Sequence, residues 1–141
     1  MNAKTLLAIL EANKLMRTNE EIAAFETALA EFAKNPNSEY LRELHLILND
    51  ECQQPEVMFS LIHFLESFEI KAQLQAFLDV VPQLILDAPE WTKILHSRIL
   101  NDESATIIYK DMLQSVDLPT QNVVENLIEQ INQEHQPVNV G

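Results

Sequence analysis

The sequence predicts an all-α protein of about seven to eight antiparallel helices, arranged either as a bundle or as stacked helical hairpins of the HEAT or armadillo kind. Apolar residues recur three and four positions apart along nearly the whole chain, and no segment of useful length alternates with period two. The only glycine is Gly141, so the tight turns of β-hairpins lack the residue that they favour. Short loops between helices favour antiparallel neighbours.

The first two helices are predicted from leucine-rich and phenylalanine-rich stripes. The first covers about 3–16, and the second covers about 19–34. Residues 18–21 have the form of a capping box, in which the Thr18 hydroxyl caps the second helix and Glu21 reaches back to the helix start. Both helices are expected to bury one face.

The third and fourth helices are separated from their neighbours by polar segments that contain proline. Ser38, or Asn35 ahead of Pro36, can cap the third helix. The fourth, about 55–68, is apolar almost all round, which predicts a central position. Its polar residues form one narrow stripe: Glu56, Ser60, His63 and Ser67.

The fifth to eighth helices complete the pattern. Pro82 is expected to end or kink the fifth helix. Asp87 is predicted to cap the sixth, about 89–100, because an early proline and Glu90 follow it. Polar stretches precede the seventh and eighth helices. The similar lengths of three helix pairs favour repeated hairpins, although no motif recurs; the pairs span 38–68, 70–100 and 104–134.

Length and hydropathy predict one helical domain over 1–135, followed by a loose tail at 136–141. No apolar run is long enough to cross a bilayer, and the N-terminal segment lacks the pattern of a secretory signal. We therefore expect a cytoplasmic protein without a membrane partner. The sequence does not predict an oligomeric state.

The formal net charge of −13 is concentrated in the second part of the chain. Residues 1–42 carry six acids and five bases, whereas residues 43–141 carry sixteen acids and four bases. This field repels nucleic acid and anionic membranes, and it attracts basic proteins. We expect no direct nucleic-acid binding and a basic protein partner.

No catalytic, cofactor-binding or metal site is predicted. Phosphate loops, Rossmann fingerprints and nucleophile elbows all need glycines that the chain lacks. Cys52 is the only cysteine, and the four histidines lack metal-site spacing. His63 and Glu66 could supply two ligands, so a helical enzyme or metal protein remains an alternative. His63 is more typical of a hydrogen-bonded residue at a packing surface.

Acidic residues at predicted helix ends are the candidate partner-binding groups. If the helices pack antiparallel, several of these carboxylates would share one edge, although N-terminal capping and solubility explain part of the pattern. Trp91 is in register with the core, and Arg98 is expected to pair with Glu90 or Asp102. The candidates are Asp50, Glu51, Glu66, Glu69, Asp87, Glu90, Asp102 and Glu103.

Two stretches resemble a known family. They are the apolar helix EVMFSLIHFLESF at 56–68, and APEW at 88–91 with the downstream RILN at 98–101. Their order and spacing resemble those of immunity protein family 30 of bacterial polymorphic toxin systems, over about 40–115. The resemblance implies a helical, non-enzymatic cytoplasmic inhibitor of a cognate toxin domain, including effectors of contact-dependent growth inhibition.

The leading hypothesis from the sequence is therefore an immunity protein that neutralises a toxin through an acidic surface. A basic toxin surface favours a nuclease, because the substrate of a nuclease is a polyanion. The alternative is a helical adaptor or regulatory scaffold with no toxin partner. An adjacent upstream toxin gene would favour the first hypothesis.

Overall fold

Eight α-helices and one short 3₁₀ helix follow one another in the computed structural model, which describes the backbone of residues 1–135 and the side chains of residues 1–130. No strand occurs in this part of the chain, so the predicted all-α fold is confirmed. The tail predicted at 136–141 lies outside the described residues. The helices are α1 (Ala3–Asn13), α2 (Asn19–Lys34), α3 (Leu41–His45), α4 (Pro55–Glu66), α5 (Ile70–Asp87), α6 (Pro89–Asn101), α7 (Glu103–Leu113) and α8 (Leu118–His135), with the 3₁₀ helix at Ser38–Tyr40.

Helix α5 lies at the centre of the molecule. It contacts α3, α4, α6, α7 and α8, whereas α4 contacts α2, α3 and α5. Buried side chains point from α5 in most directions, because they occupy consecutive positions at 76–78 as well as 74, 80, 81 and 84. Helix α5 is more central than α4, which the sequence predicted to be packed on most sides, and each of the two helices keeps one exposed stripe.

The C-terminal helices favour the bundle alternative over a strict series of hairpins. Helix α8 packs mainly on α5 and α6 instead of forming its principal contact with α7, its neighbour in sequence. Its buried residues Val124 and Leu127 belong to the same continuous core as Leu10 of α1 and Leu61 of α4. One core therefore joins the two ends of the described chain.

Several helix boundaries follow the sequence signals closely. Thr18 caps α2 by accepting from the backbone N–H of Glu21 at 3.1 Å, as predicted. The carboxylate of Glu21 accepts from the backbone N–H of Arg17 at 3.1 Å, so it reaches one residue further back than the predicted capping box requires. Asp117 caps α8 through Thr120 at 2.9 Å.

Other boundaries correct the predictions. Helix α1 ends at Asn13. Neither Ser38 nor Asn35 caps the third helix: Asn37 accepts from the N–H of Glu39 at 3.0 Å and starts the 3₁₀ helix. Helix α5 continues through Pro82 to Asp87, so Pro82 does not end the helix; the alternative, a kink at Pro82, stays a prediction, since proline removes one hydrogen bond from the ladder. The buried flanking side chains hold the helix together across this gap.

Candidate partner-binding surface

The eight predicted acids divide between the two ends of α6. Asp50, Glu51, Asp87 and Glu90 surround its N-terminus, and Glu66, Glu69, Asp102 and Glu103 surround its C-terminus. Helix α6 has 13 residues, which places the ends about 20 Å apart at the usual rise per residue. The carboxylates therefore form two groups, not the single edge expected from the sequence.

At the N-terminal end, Asp50 starts α6 from a distant loop. Its two carboxylate oxygens accept from the backbone N–H groups of Glu90 at 2.9 Å and Trp91 at 3.1 Å. The predicted cap, Asp87, is instead the last residue of α5, and it accepts from the side-chain amide of Gln83 at 2.9 Å. The N-cap position itself is Ala88, which has no side chain that could accept a hydrogen bond.

At the C-terminal end, an ion pair joins α4 to α6. The Arg98 guanidinium donates from Nε to Glu66 Oε2 at 2.8 Å and from Nη2 to Glu66 Oε1 at 2.7 Å. These hydrogen bonds raise the pKa of Arg98 above its ordinary value. The sequence had suggested Glu90 or Asp102 as the partner. Glu90 lies instead 3.7 Å from the ammonium of Lys93.

Two further acids of this group cap helices. Glu69 accepts from the N–H of Ala72 at 3.0 Å and starts α5. Asp102 accepts from the N–H of Ala105 at 3.0 Å and starts α7. Capping holds both carboxylates on rigid backbone while leaving them exposed. Glu51 and Glu103 are also exposed and lie beside these groups in sequence.

An open groove of about 650 Å³ lies beside the Glu66–Arg98 ion pair. It separates the turn that connects α4 to α5 from the turn that connects α6 to α7. Its lining combines apolar residues with polar ones. The apolar residues are Phe68, Ile70, Leu74, Ile99 and Ala105, and the polar ones are Glu66, Gln73, Arg98, Asn101 and Asp102.

A second groove, of about 580 Å³, lies between α2 and α4. Leu29, Val57 and Phe64 line it together with Ser60 and His63 of the polar stripe. His63 is exposed, its ring centroid 6.5 Å from that of Phe59, so the expectation of a packed histidine was wrong. Trp91, in contrast, is buried as expected, edge-on to Phe59 at 5.0 Å.

Sequence reasoning missed a buried aromatic cluster. Phe77 of α5 packs near His45, His96 and Tyr109, with ring centroids 6.0 to 6.4 Å away. Burial lowers the pKa of both histidines to about 4, so both are neutral at physiological pH. The signal was present, because His45 lies four residues after the core residue Leu41 and therefore on the same helical face.

These buried groups do not form a chemical site. His45 Nδ1 lies 2.7 Å from the carbonyl oxygen of Leu41, which is a structural contact. Burial raises the pKa of the Cys52 thiol, and a protonated thiol is a poor nucleophile. Among the described residues, no group of three or more His, Cys, Asp or Glu side chains could hold a metal ion.

Across the described residues, the helices fall short of the length and apolar character that a membrane-spanning segment requires. The model of one protein family, immunity protein 30, matches residues 12–109. This match begins earlier than the two motifs and includes both of them. No curated protein and no solved structure gives a significant match. Because the family match covers well over half of the sequence, the chain belongs to the immunity protein 30 family.

Proposed function

We propose that this protein binds and neutralises a cognate bacterial toxin domain in the cytoplasm, using carboxylates around the two ends of α6. Membership of the immunity protein 30 family carries this proposal, because it implies a toxin protein as the partner and a non-catalytic role. The rigid placement of the acids supports it further. Preformed charges bind with a smaller loss of conformational entropy than charges on mobile loops do.

The toxin surface that fits this protein is basic. The net charge of −13 speeds the encounter with a cationic partner and slows the approach of polyanions. A nuclease domain has such a surface, because it must hold the phosphates of its substrate. An inhibitor that presents carboxylates there competes with the nucleic acid for the same cations. We therefore propose a nuclease as the class of toxin.

The surroundings of the histidine and cysteine side chains support inhibition by binding instead of catalysis. His45 and His96 are buried and neutral, with pKa values of about 4. Neither can exchange protons with a substrate in solvent at neutral pH. Cys52 is half-buried, and its pKa is raised. The exposed carboxylates are suited to hold cations of a partner.

The first experiment is co-expression with the toxin domain encoded immediately upstream of this gene. We expect a stable complex on gel filtration and recovery of growth in cells that produce the toxin. We also expect the association rate to fall as salt rises, because exposed charges are screened over about 10 Å at moderate ionic strength. A folded protein that neither binds the toxin nor restores growth would contradict the immunity function and favour the adaptor hypothesis.

Charge reversal tests the acidic surface separately from net charge. The double variant E51K/E103K changes one exposed acid at each end of α6. The control variant E39K/E43K makes the same change in net charge at exposed positions away from α6. We expect the first variant to slow association with the toxin by about tenfold or more at low salt, and the control to have a much smaller effect. Equal effects of the two variants would contradict a localised acidic surface.

A further inference from the structure

The C-terminal end of α6 differs from its N-terminal end in having a groove between two helix turns. Helix α4 ends there at Glu66, and α5 begins at Ile70; α6 ends at Asn101, and α7 begins at Glu103. The Glu66–Arg98 ion pair ties the two turns together at one side of the groove. Four helix ends and this ion pair hold the groove open without help from a partner.

The floor of the groove is apolar. Leu74, Ile99 and Ala105 belong to the hydrophobic core and leave only 1%, 8% and 6% of their surface exposed. Phe68 and Ile70 are half-buried and continue the same surface toward solvent. A partner that covers Phe68 and Ile70 gains hydrophobic free energy, because water leaves apolar surface on both sides.

The charge around the groove is negative. The two turns, residues 66–74 and 98–105, contain four acids and two bases. Arg98 is neutralised by Glu66, and Lys71 is the other base. Glu69 and Asp102 each use one oxygen for a helix cap, which leaves a second oxygen as an acceptor. Asp102 lines the groove, whereas Glu69 and Glu103 are exposed residues that adjoin lining residues in sequence.

We propose that this groove docks a basic segment of the toxin, with the aliphatic stem of an arginine or lysine on Phe68 and Ile70 and its cation at Asp102 and the adjoining Glu103. Long cationic side chains combine an apolar stem with a charged tip in this way. This inference rests on the proposed function and assigns the toxin-binding site to the groove. It also predicts that the N-terminal end of α6 contributes less than the C-terminal end, because backbone N–H groups already occupy both oxygens of Asp50 and Glu90 lies beside Lys93.

The groove between α2 and α4 is less suited to this occupant. Of the residues that line it, Glu26 is the only acid. In the groove at the C-terminal end of α6, a hydrogen bond to the N–H of Ala105 holds the Asp102 carboxylate in place, and the exposed Glu103 adjoins it in sequence. This favours the groove at the C-terminal end of α6, because a carboxylate that is already held in place loses less conformational entropy on binding a cation.

The first test fills the groove. Asn101 lines it and is exposed, so Asn101→Trp should block the groove without disturbing the core. Asn122→Trp is the matched control, because Asn122 is an exposed residue of α8 and is not part of the lining. We expect Asn101→Trp to weaken binding of the upstream-encoded toxin domain by about a hundredfold, and Asn122→Trp to change it less than about threefold.

The second test compares the two ends of α6. Glu103→Lys and Glu51→Lys make the same change in charge at exposed positions. We expect Glu103→Lys to slow association with the toxin domain at least about tenfold at low salt, and Glu51→Lys less than about threefold. Circular dichroism and thermal unfolding of all four variants verify that each one folds.

The outcomes separate the two proposals. If the wild-type protein binds the toxin and both Asn101→Trp and Glu103→Lys bind as tightly as their controls, the groove assignment is overturned and the immunity function stands. If the wild-type protein does not bind the toxin, the immunity function fails, and the groove assignment falls with it. Selective loss in the two groove variants supports both proposals.

Discussion

At the scale of single residues, Asp50 illustrates how a side chain can begin a helix that lies far away in sequence. The first N–H groups of any helix lack partners within the helix. In α6, Asp50 accepts from two of them, although it lies 40 residues before Glu90. A carboxylate at this position is also favoured by the partial positive charge of the helix N-terminus. Asp50 is therefore a structural residue of the fold as well as an acid near the surface.

Replacing Asp50 tests this structural role. We expect Asp50→Ala to lower the free energy of unfolding by about 1–2 kcal/mol, because two backbone N–H groups lose their acceptor. Asp50→Asn keeps one side-chain oxygen and should cost less. Urea unfolding measures both changes. Glu51→Ala serves as the control at the exposed neighbouring position. A loss as large for Glu51→Ala as for Asp50→Ala would contradict the capping role.

A second residue-scale feature is the pair of buried neutral histidines. Neither ring nitrogen of His96 has a hydrogen-bond partner in the described structure, and its ring packs 5.4 Å from that of Tyr109. Burial disfavours the charged imidazolium, and this lowers the pKa of His96 to about 4. In the unfolded chain the same group titrates near its ordinary value of 6.5. The unfolded state therefore binds more protons between these two values.

This difference predicts the direction of the pH dependence. Stability contributed by His45 and His96 is fully present above about pH 6.5, and it falls as the pH drops toward about 4. Each histidine contributes up to about 1 kcal/mol per pH unit in this window. His96→Phe should reduce the slope, whereas His63→Gln, at an exposed position, should not. Urea unfolding over this pH range provides the measurement, and an unchanged slope in His96→Phe would contradict the assignment.

At the scale of elements, α5 organises the fold because five other helices pack against it. A helix with buried residues in most directions tolerates a local defect, since tertiary packing replaces the lost backbone hydrogen bond at Pro82. Burial also offsets an unfavourable backbone conformation at Met16. This residue follows α1, has a positive φ of 49° and is 1% exposed. The left-handed conformation costs about 1–2 kcal/mol for a residue with a side chain. Burial of the methionine side chain offsets this cost.

The central position of α5 is testable with two substitutions on the same helix. Phe77 is 1% exposed and Leu86 is 76% exposed. We expect Phe77→Ala to reduce the free energy of unfolding by about 3–5 kcal/mol, because it leaves a cavity among His45, His96 and Tyr109. Leu86→Ala should change it by less than about 0.5 kcal/mol. Similar losses for the two variants in urea unfolding would show that α5 is not buried as described.

At the scale of the whole molecule, one hydrophobic core runs from α1 to α8. We propose that residues 1–135 form one helical domain. We predict a single cooperative unfolding transition, with the calorimetric enthalpy equal to the van't Hoff enthalpy. Loss of α8 contacts before the rest of the core, seen as a separate transition, would contradict a single cooperative unit.

Electrostatic repulsion between the acids also acts across the whole molecule. The acids repel one another across the surface, and pairing with bases relieves this repulsion only in places such as Glu66–Arg98. A cationic partner relieves it more broadly. The acidic surface is therefore expected to lower the stability of the free protein slightly while it favours the complex with a basic toxin.

The helical class and most helix positions could be predicted from the sequence, because they depend on local signals. Helix α2 was predicted at its observed bounds, and Thr18 and Asp117 cap the helices that follow them. Apolar spacing and capping residues act within about one turn of helix, so they can be recognised from residues that are close together in sequence. The family was also indicated by sequence motifs, and the match over residues 12–109 confirmed it.

The contacts between elements could not be predicted from the sequence and were seen in the folded chain. The fold made α5 more central than α4, and it brought Glu66 to Arg98 across 32 residues. It also supplied Asp50 as the cap of α6 and divided the acids between two ends of that helix. These contacts join residues distant in sequence, and they arise from burying many amphipathic faces at once. No local pattern specifies which of several similar faces pack together, so the groove between the two turns became visible only in the folded chain.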